Sequence, residues 1–322
     1  MIAHQFTLRL LTAFGSPLHG DALFGQLCWL IRNQLGETRL IELLTGYTAG
    51  KPFMVVSDAL PAGFIPRPIM PSGYFDPLTV DDKQKEIKKR LWLPLADLTQ
   101  PLARWAKLAM PETELVKPIK DEKPVFRATQ AQPHNSINRT TQTTGEGGFA
   151  PFTNEQIWYH PDAQLTVYIV LDEQRLSVEE LSLCLKNLGE IGFGRDASAG
   201  LGKFEIIEET QIKLSEQDHA NAYLTLAACA PQGHAWSAEK CFYQVMTRFG
   251  RHGDVAAISE RPFKNPILLA KAGAVLTPQN FESRLFVGNG LGGNGEISKT
   301  IPATVHQGYA PVIGIRIELA QS

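Results

Sequence analysis

The sequence predicts an α+β fold made of two related units. Short stretches alternate apolar and polar residues, and two longer ones repeat their apolar residues at helical spacing. In the first 212 residues the elements run strand, helix, strand, insertion, strand, helix, strand, the split β-α-β-β-α-β order of a ferredoxin-like unit. At 322 residues the chain exceeds a usual single domain, and a second, degenerate ferredoxin-like unit is expected over 213–322.

The first strand is HQFTLRLLT, near the N-terminus. The turn AFGSPLHG follows, and Asp21 stands where a helix N-cap is expected. Leu23, Phe24, Leu27, Leu30 and Ile31 then mark one face of a helix. KPFMVVSDALP reads as the second strand, closed by Pro61. From about 61 to 160 the periodicity weakens through the proline-rich IPRPIMPSGYFDP, the charged DDKQKEIKKRLW and the Thr/Asn-rich RATQAQPHNSINRTTQTTGEGGFAPF. A long insertion without its own core is usually functional or disordered, so this one reads as an extended arm that orders on assembly. AQLTVYIVLD is a strong strand, and SVEELSLCLKNLGEIG a helix opened by a capping box of Ser177 and Glu180. GKFEIIEE closes the unit as a strand. In the second unit AYLTLAACAP, NPILLAKAGAVL and VIGIRIEL read as strands, SAEKCFYQVMTRF as a helix, and GNGLGGNGEISK (288–299) as a flexible loop at a partner interface.

Composition excludes several classes of function. The net charge of −2 is too small for a general polyanion binder, so nucleic-acid binding requires local basic patches. Cys28, Cys184, Cys229 and Cys241 are far apart and form no C-x-x-C, and the histidines miss zinc-ligand spacings; buried free thiols and no metal site are expected. No apolar run approaches the roughly 20 residues of a membrane helix, and the N-terminus lacks signal-peptide order, which points to the cytoplasm.

The densest motif is IGFGRDASAGLGKF (191–204), with glycines spaced G-x-G-x5-G-x-G. A phosphate-binding Walker loop needs Lys-Ser/Thr opening a helix, and here Lys203 is followed by Phe204, which opens a strand. A dinucleotide fingerprint runs from strand into helix, the reverse of this order. A glycine helix cap with a tight turn explains Gly189 or Gly192, but not Gly194, Gly200 and Gly202 around a polar RDAS. Backbone N–H groups beside a guanidinium suit phosphate oxygens.

This loop at the end of a ferredoxin-like unit resembles the RAMP superfamily of CRISPR RNA-binding proteins. Within it, SPLHGDALFGQLCW, FMVVSDALP with PRPIMP, HNSINRTTQTTGEGGFAPF and EIGFGRDASAGLGKF resemble the Cas5-type subunits of type III-A (Csm) effector complexes; RPFKNPILLAKAGAVL does so more loosely. The resemblance implies two RRM-like domains, the first carrying an inserted thumb. It implies a non-catalytic subunit of an antiviral ribonucleoprotein that needs no cofactor. Such a subunit caps the 5′ handle of the crRNA and docks the large polymerase/cyclase-like subunit and a backbone RAMP subunit.

The implied RNA contacts are Gly192, Gly194, Arg195, Ser198, Gly200, Gly202 and Lys203 on the glycine loop. His19 and Gly20 join them at the start of the first helix, whose positive end favours an anion. Asn135, Asn138, Arg139, Thr140, Thr143 and Thr144 on the thumb suit sugar–phosphate contacts to a guide–target duplex. The basic run 83–90 reads as a solvated helix face. The rival reading is a metal-independent endoribonuclease processing crRNA precursors. It requires a general base, a general acid and a cation, parts that His19, His134, Arg139 and Lys203 offer by residue type.

Overall fold

The computed structural model describes residues 1–77, 84–119, 124–145 and 147–318. The first half contains β1 (Ile2–Leu10), α1 (Gly20–Leu35), α2 (Glu37–Leu44), β2 (Met54–Val56), β3 (Leu60–Pro61), β4 (Phe64–Pro66), α3 (Gln84–Lys89), β5 (Trp92–Pro94) and α4 (Trp105–Leu108). After these come β6 (Arg127–His134), β7 (Phe152–Tyr159), β8 (Gln164–Leu171), α5 (Val178–Ile191) and β9 (Phe204–Ile212). The main sheet runs β2–β8–β1–β9 and is antiparallel throughout. The last strand of the unit thus lies beside the first, and the first beside the third, as a split β-α-β-β-α-β unit requires. β1 and β8 align from Ile2 against Leu171 to Arg9 against Gln164. Leu165 to Leu171 is buried without interruption, which explains its unbroken apolar run. α5 starts as its capping box predicts: Glu180 N–H donates to Ser177 Oγ at 3.2 Å and Ser177 N–H to Glu180 Oε2 at 3.0 Å.

The insertion is not one arm. Residues 64–77 and 84–119 fold back on the body through the β4–β5 pair and bury Ile65, Leu93, Leu98, Leu102 and Trp105 in the main core. Their apolar residues follow no single period because short 3-10 turns and prolines carry the chain, and such turns leave no periodic signature. β6 and β7 pair as a two-stranded hairpin that is largely exposed, with Gln156 buried near its base. Of the basic run 83–90, Lys83 lies outside the described residues; Gln84–Lys89 form α3.

The second half holds β10 (Ala222–Thr225), β11 (Val245–Arg248), β12 (Ile267–Ala270), β13 (Val275–Leu276), β14 (Phe286–Gly292) and β15 (Val305–Ile315). It keeps a four-stranded antiparallel sheet, ordered β13–β10–β15–β14. Among the described residues it has no α-helix, and α1 of the first half packs on β15 instead. The helix expected over 237–249 is a short 3-10 turn followed by β11. Phe242 exchanges backbone hydrogen bonds with Val275, and β11 pairs with β12, so long-range pairing overrides the local helical spacing. The glycine-rich stretch expected as a flexible loop begins as strand, with 288–292 in β14, where a side chain on Gly290 would collide with Tyr47 O at 2.5 Å.

One hydrophobic core runs through both halves, joining Phe6, Leu27 and Ile169 to Leu224, Tyr309 and Ile313. Gln307, fully buried, completes the outer edge of β2: its amide accepts from Val56 N–H at 2.8 Å and donates to Val56 O at 2.7 Å. Tyr309 adds a hydroxyl bond to Tyr47 O at 2.6 Å.

Candidate nucleic-acid interface

Three segments meet at the end of the main sheet where β1 finishes: the loop 11–19, the glycine loop between α5 and β9, and the hairpin β6–β7. The first two are stitched by the backbone. Leu11 N–H donates to Lys203 O at 2.9 Å, Gly202 N–H to Ala13 O at 2.7 Å, and Lys203 N–H to Thr12 Oγ1 at 2.9 Å. Ser16 Oγ accepts from Arg195 N–H at 3.0 Å. These contacts explain the glycines. A Cβ on Gly202 would stand 2.1 Å from Phe193 O, one on Gly192 2.3 Å from Leu201 O, and one on Gly15 2.2 Å from Arg195 O. Gly192 and Gly202 are buried and shape the loop rather than face a ligand.

The loop still offers donors. Among the described residues the backbone N–H groups of Gly194, Asp196, Ala197 and Ser198 carry no hydrogen bond. Asp196 to Ser198 sit at the mouth of a 3-10 turn with Asp196 in the left-handed region, so three consecutive N–H groups are available. Arg195 and Ser198 are exposed, and Lys203 is half-buried with its ammonium unpaired among the described residues.

The hairpin lies across this loop. At its base Phe14 and Ile157 exchange backbone hydrogen bonds of 2.9 and 2.8 Å, and Phe14 and Tyr159 stack edge to face. Farther out, Arg195 Nη2 donates to Glu155 O at 2.5 Å and Asn154 Nδ2 to Asp196 Oδ2 at 3.2 Å. Asn154, Glu155, Ser16 and Thr12 were not among the expected contacts; ordinary polar residues carry no sequence signal of such a meeting. The tip residues Asn135, Arg139, Thr140, Thr143 and Thr144 are exposed, and Asn138 is half-buried. Asn138 organises the tip, since its Oδ1 accepts from Thr140 N–H at 2.9 Å. Arg139 has no ion-pair partner among the described residues.

The start of α1 corrects two expectations. Asp21 is not the N-cap, which is His19, without a side-chain cap bond. The cap comes instead from Asp58, whose Oδ1 accepts from Gly20 N–H at 2.8 Å. A carboxylate therefore already occupies the positive helix end, and Gly20 is buried with its N–H bonded, which removes it from the RNA-facing set. His19 Nδ1 is 3.3 Å from Asp58 Oδ2. Burial alone lowers its pKa, but the Asp58 carboxylate outweighs burial and the net shift is upward. Asp21 is buried and bridges the two halves, with Oδ2 2.6 Å from Arg248 Nε, Oδ1 3.0 Å from Arg248 Nη2, and Oδ2 3.2 Å from His306 Nε2. Burial raises its pKa, yet His306 and Arg248 reverse this and hold the carboxyl well below the usual range.

The four residues offered as a ribonuclease set share no hydrogen bond or ion pair with one another among the described residues. His19 turns to Asp58, His134 stacks on Phe152 out on the hairpin at 5.2 Å between rings, and neither bonds Arg139 or Lys203 among the described residues. Cys28, Cys184 and Cys229 are buried; burial pushes the thiols of Cys28 and Cys229 up to about 12.

A sequence model of the RAMP superfamily matches residues 10–205, more than half of the chain and all three converging segments. The chain belongs to the RAMP superfamily. No curated protein matches its sequence. Solved structures match this RAMP protein over almost its whole length. A chain of the Csm3–Csm4 subcomplex in the type III-A CRISPR-Cas interference complex has a TM-score of 0.61 at 15% identity, covering 98% of this chain and 100% of that one. A chain of the Csm1–Csm4 cassette in complex with cA4 has a TM-score of 0.57 at 13% identity, covering 99% and 100%. The same cassette with pppApA gives 0.55 at 13%, covering 98% and 99%. At these identities the likeness is one of fold. No helix among the described residues is long and apolar enough to cross a membrane.

Proposed function

We propose that this chain is the Csm4-like capping subunit of a type III-A CRISPR effector complex, a cytoplasmic ribonucleoprotein of antiviral defence. It holds the 5′ handle of the crRNA and docks the large subunit and a backbone RAMP subunit. Membership of the RAMP superfamily supports RNA as the ligand. The Csm1–Csm4 and Csm3–Csm4 assemblies share Csm4, and each contains a chain that this one matches end to end. That common member supports both a large-subunit and a backbone partner.

The observation that carries the reading is the convergence of the glycine loop, the loop 11–19 and the hairpin on one surface. Arg195, Ser198, Lys203 and the amides of Gly194 and 196–198 grip phosphate oxygens of the handle, while Gly192, Gly200 and Gly202 set the loop's shape. His19, partly exposed and held by Asp58 at the end of the loop 11–19, adds a hydrogen-bonding imidazole to that surface. The tip residues Asn135, Asn138, Arg139, Thr140, Thr143 and Thr144 meet the guide–target duplex through sugar and phosphate. The chain divides functionally at 212–213, the first unit carrying the RNA surface. It acts by binding, without catalysis of its own.

The test is to tag this chain, co-express it with the neighbouring genes and a repeat–spacer array, and sequence the RNA that co-purifies. A complex carrying RNA with a repeat-derived 5′ end is expected. Recovery of the chain alone contradicts the proposal, as does cleavage of repeat RNA in EDTA that depends on His19 and His134.

A further inference from the structure

The hairpin has a second support that its fold does not require. Its base is fixed to the body: Arg127 pairs with Glu112 at 2.7 Å, and Phe14 bridges Ile157. Eight-residue strands reach about 26 Å at 3.3 Å per residue, so a hairpin pinned only at its base is free to swing. Two to three residues beyond the Ile157 anchor, about 7–10 Å farther along β7, Glu155 and Asn154 rest on Arg195 and Asp196 of the glycine loop. Asp196 adopts the left-handed conformation there, with φ of 62°, and its carboxylate faces both the Asn154 amide and, at 3.6 Å, Arg195 Nε. Ser16 holds the Arg195 backbone from the other side, so the prop stands on a fixed floor.

We infer that Asn154 and Asp196 are positioning residues that set the direction of the hairpin relative to the glycine loop. This rests on the RNA-binding function proposed for the loop. An RNA strand held at the loop then meets the hairpin at a fixed distance and angle, and the two contact regions act as one site. Freeing the hairpin leaves each region intact but loses the advantage of simultaneous engagement. Neither residue needs to touch RNA for this effect.

The test uses the full chain with Cys241→Ser, spin-labelled at Ser136→Cys on the hairpin tip and Glu179→Cys on α5. Pulsed-EPR distances are measured without RNA. A narrow distribution is expected, broadened by Asn154→Ala and further by Asn154→Asp, which sets a like charge against Asp196. Asn154→Lys, which restores an attraction to Asp196, narrows it again. The second readout is affinity for two probes: the repeat-derived strand alone, and the same strand extended into a guide–target duplex. Asn154→Ala is expected to leave the first within about twofold and to weaken the second by about fivefold or more. Unchanged distances in all three variants overturn the inference, and so does equal weakening of both probes. If the wild type binds neither RNA, the functional reading fails while the distance distributions still decide whether the prop exists.

Discussion

Replacing Asp21 by Asn keeps the volume of the side chain and removes the charge that joins the two halves. The Asp21 carboxylate is 2% exposed and the Arg248 guanidinium 19% exposed, and they share hydrogen bonds of 2.6 and 3.0 Å. Breaking a buried pair strands the other charge, which costs about 3–5 kcal/mol, whereas replacing both partners by apolar groups costs far less. Asp21→Asn is therefore expected to lower the urea-unfolding midpoint by about that free energy at pH 7, and Asp21→Leu with Arg248→Met by less than either single change. The pH dependence has a definite sign. A carboxyl whose folded pKa is depressed stabilises fully above its unfolded value of about 4 and loses that stabilisation as pH falls through the folded value. The gap between wild type and variant thus stays constant from pH 7 to 5 and closes only below about 4. A loss under about 1 kcal/mol, or a gap that closes near neutrality, refutes the argument.

Other outcomes follow from local geometry. Gly202→Ala collides with Phe193 O at φ of 76° and is expected to unfold the loop, read as rapid amide exchange over 193–203. Gly200→Ala meets open space at φ of 92° and costs only about 1 kcal/mol of conformational strain. Asp58→Asn is expected to lower the His19 pKa in an NMR titration, because Asp58 is what raises it against burial. The His19–Asp58 contribution to stability is full below about 6.5 and fades as pH rises through the higher folded value; an unchanged His19 titration contradicts the assignment. Arg175 donates to the carbonyls of Lys51, Glu42, Leu43 and Thr45, so Arg175→Ala leaves the end of α2 uncapped and is expected to cost about 2 kcal/mol by urea unfolding.

The first unit was legible in the sequence because its local signals agree with its long-range pairing. Ser177 and Glu180 mark the start of α5, the run at 165–171 marks the central strand, and the passage from helix into strand rules the glycine loop out as a nucleotide cradle. The second half was harder, since its strands pair across long separations and Phe242 to Phe249 carry helical spacing without a helix. Asp58 takes the capping role expected of Asp21, which pairs with Arg248 instead, because a cap can come from a residue distant in sequence. The glycine loop could be found from its own residues, but its floor and its prop could not. Thr12, Ser16 and Asn154 are unremarked polar residues until the fold brings them to Lys203, Arg195 and Asp196.

The central claim is that Arg195 and Lys203 hold RNA phosphates at the glycine loop. Affinity of the purified chain for repeat-derived single-stranded RNA, measured from low to physiological salt, tests it most directly. Arg195→Ala with Lys203→Ala is expected to weaken binding at low salt and to flatten the log–log salt slope by about 1.4, at roughly 0.7 for each phosphate no longer neutralised. An unchanged affinity and slope contradict the claim.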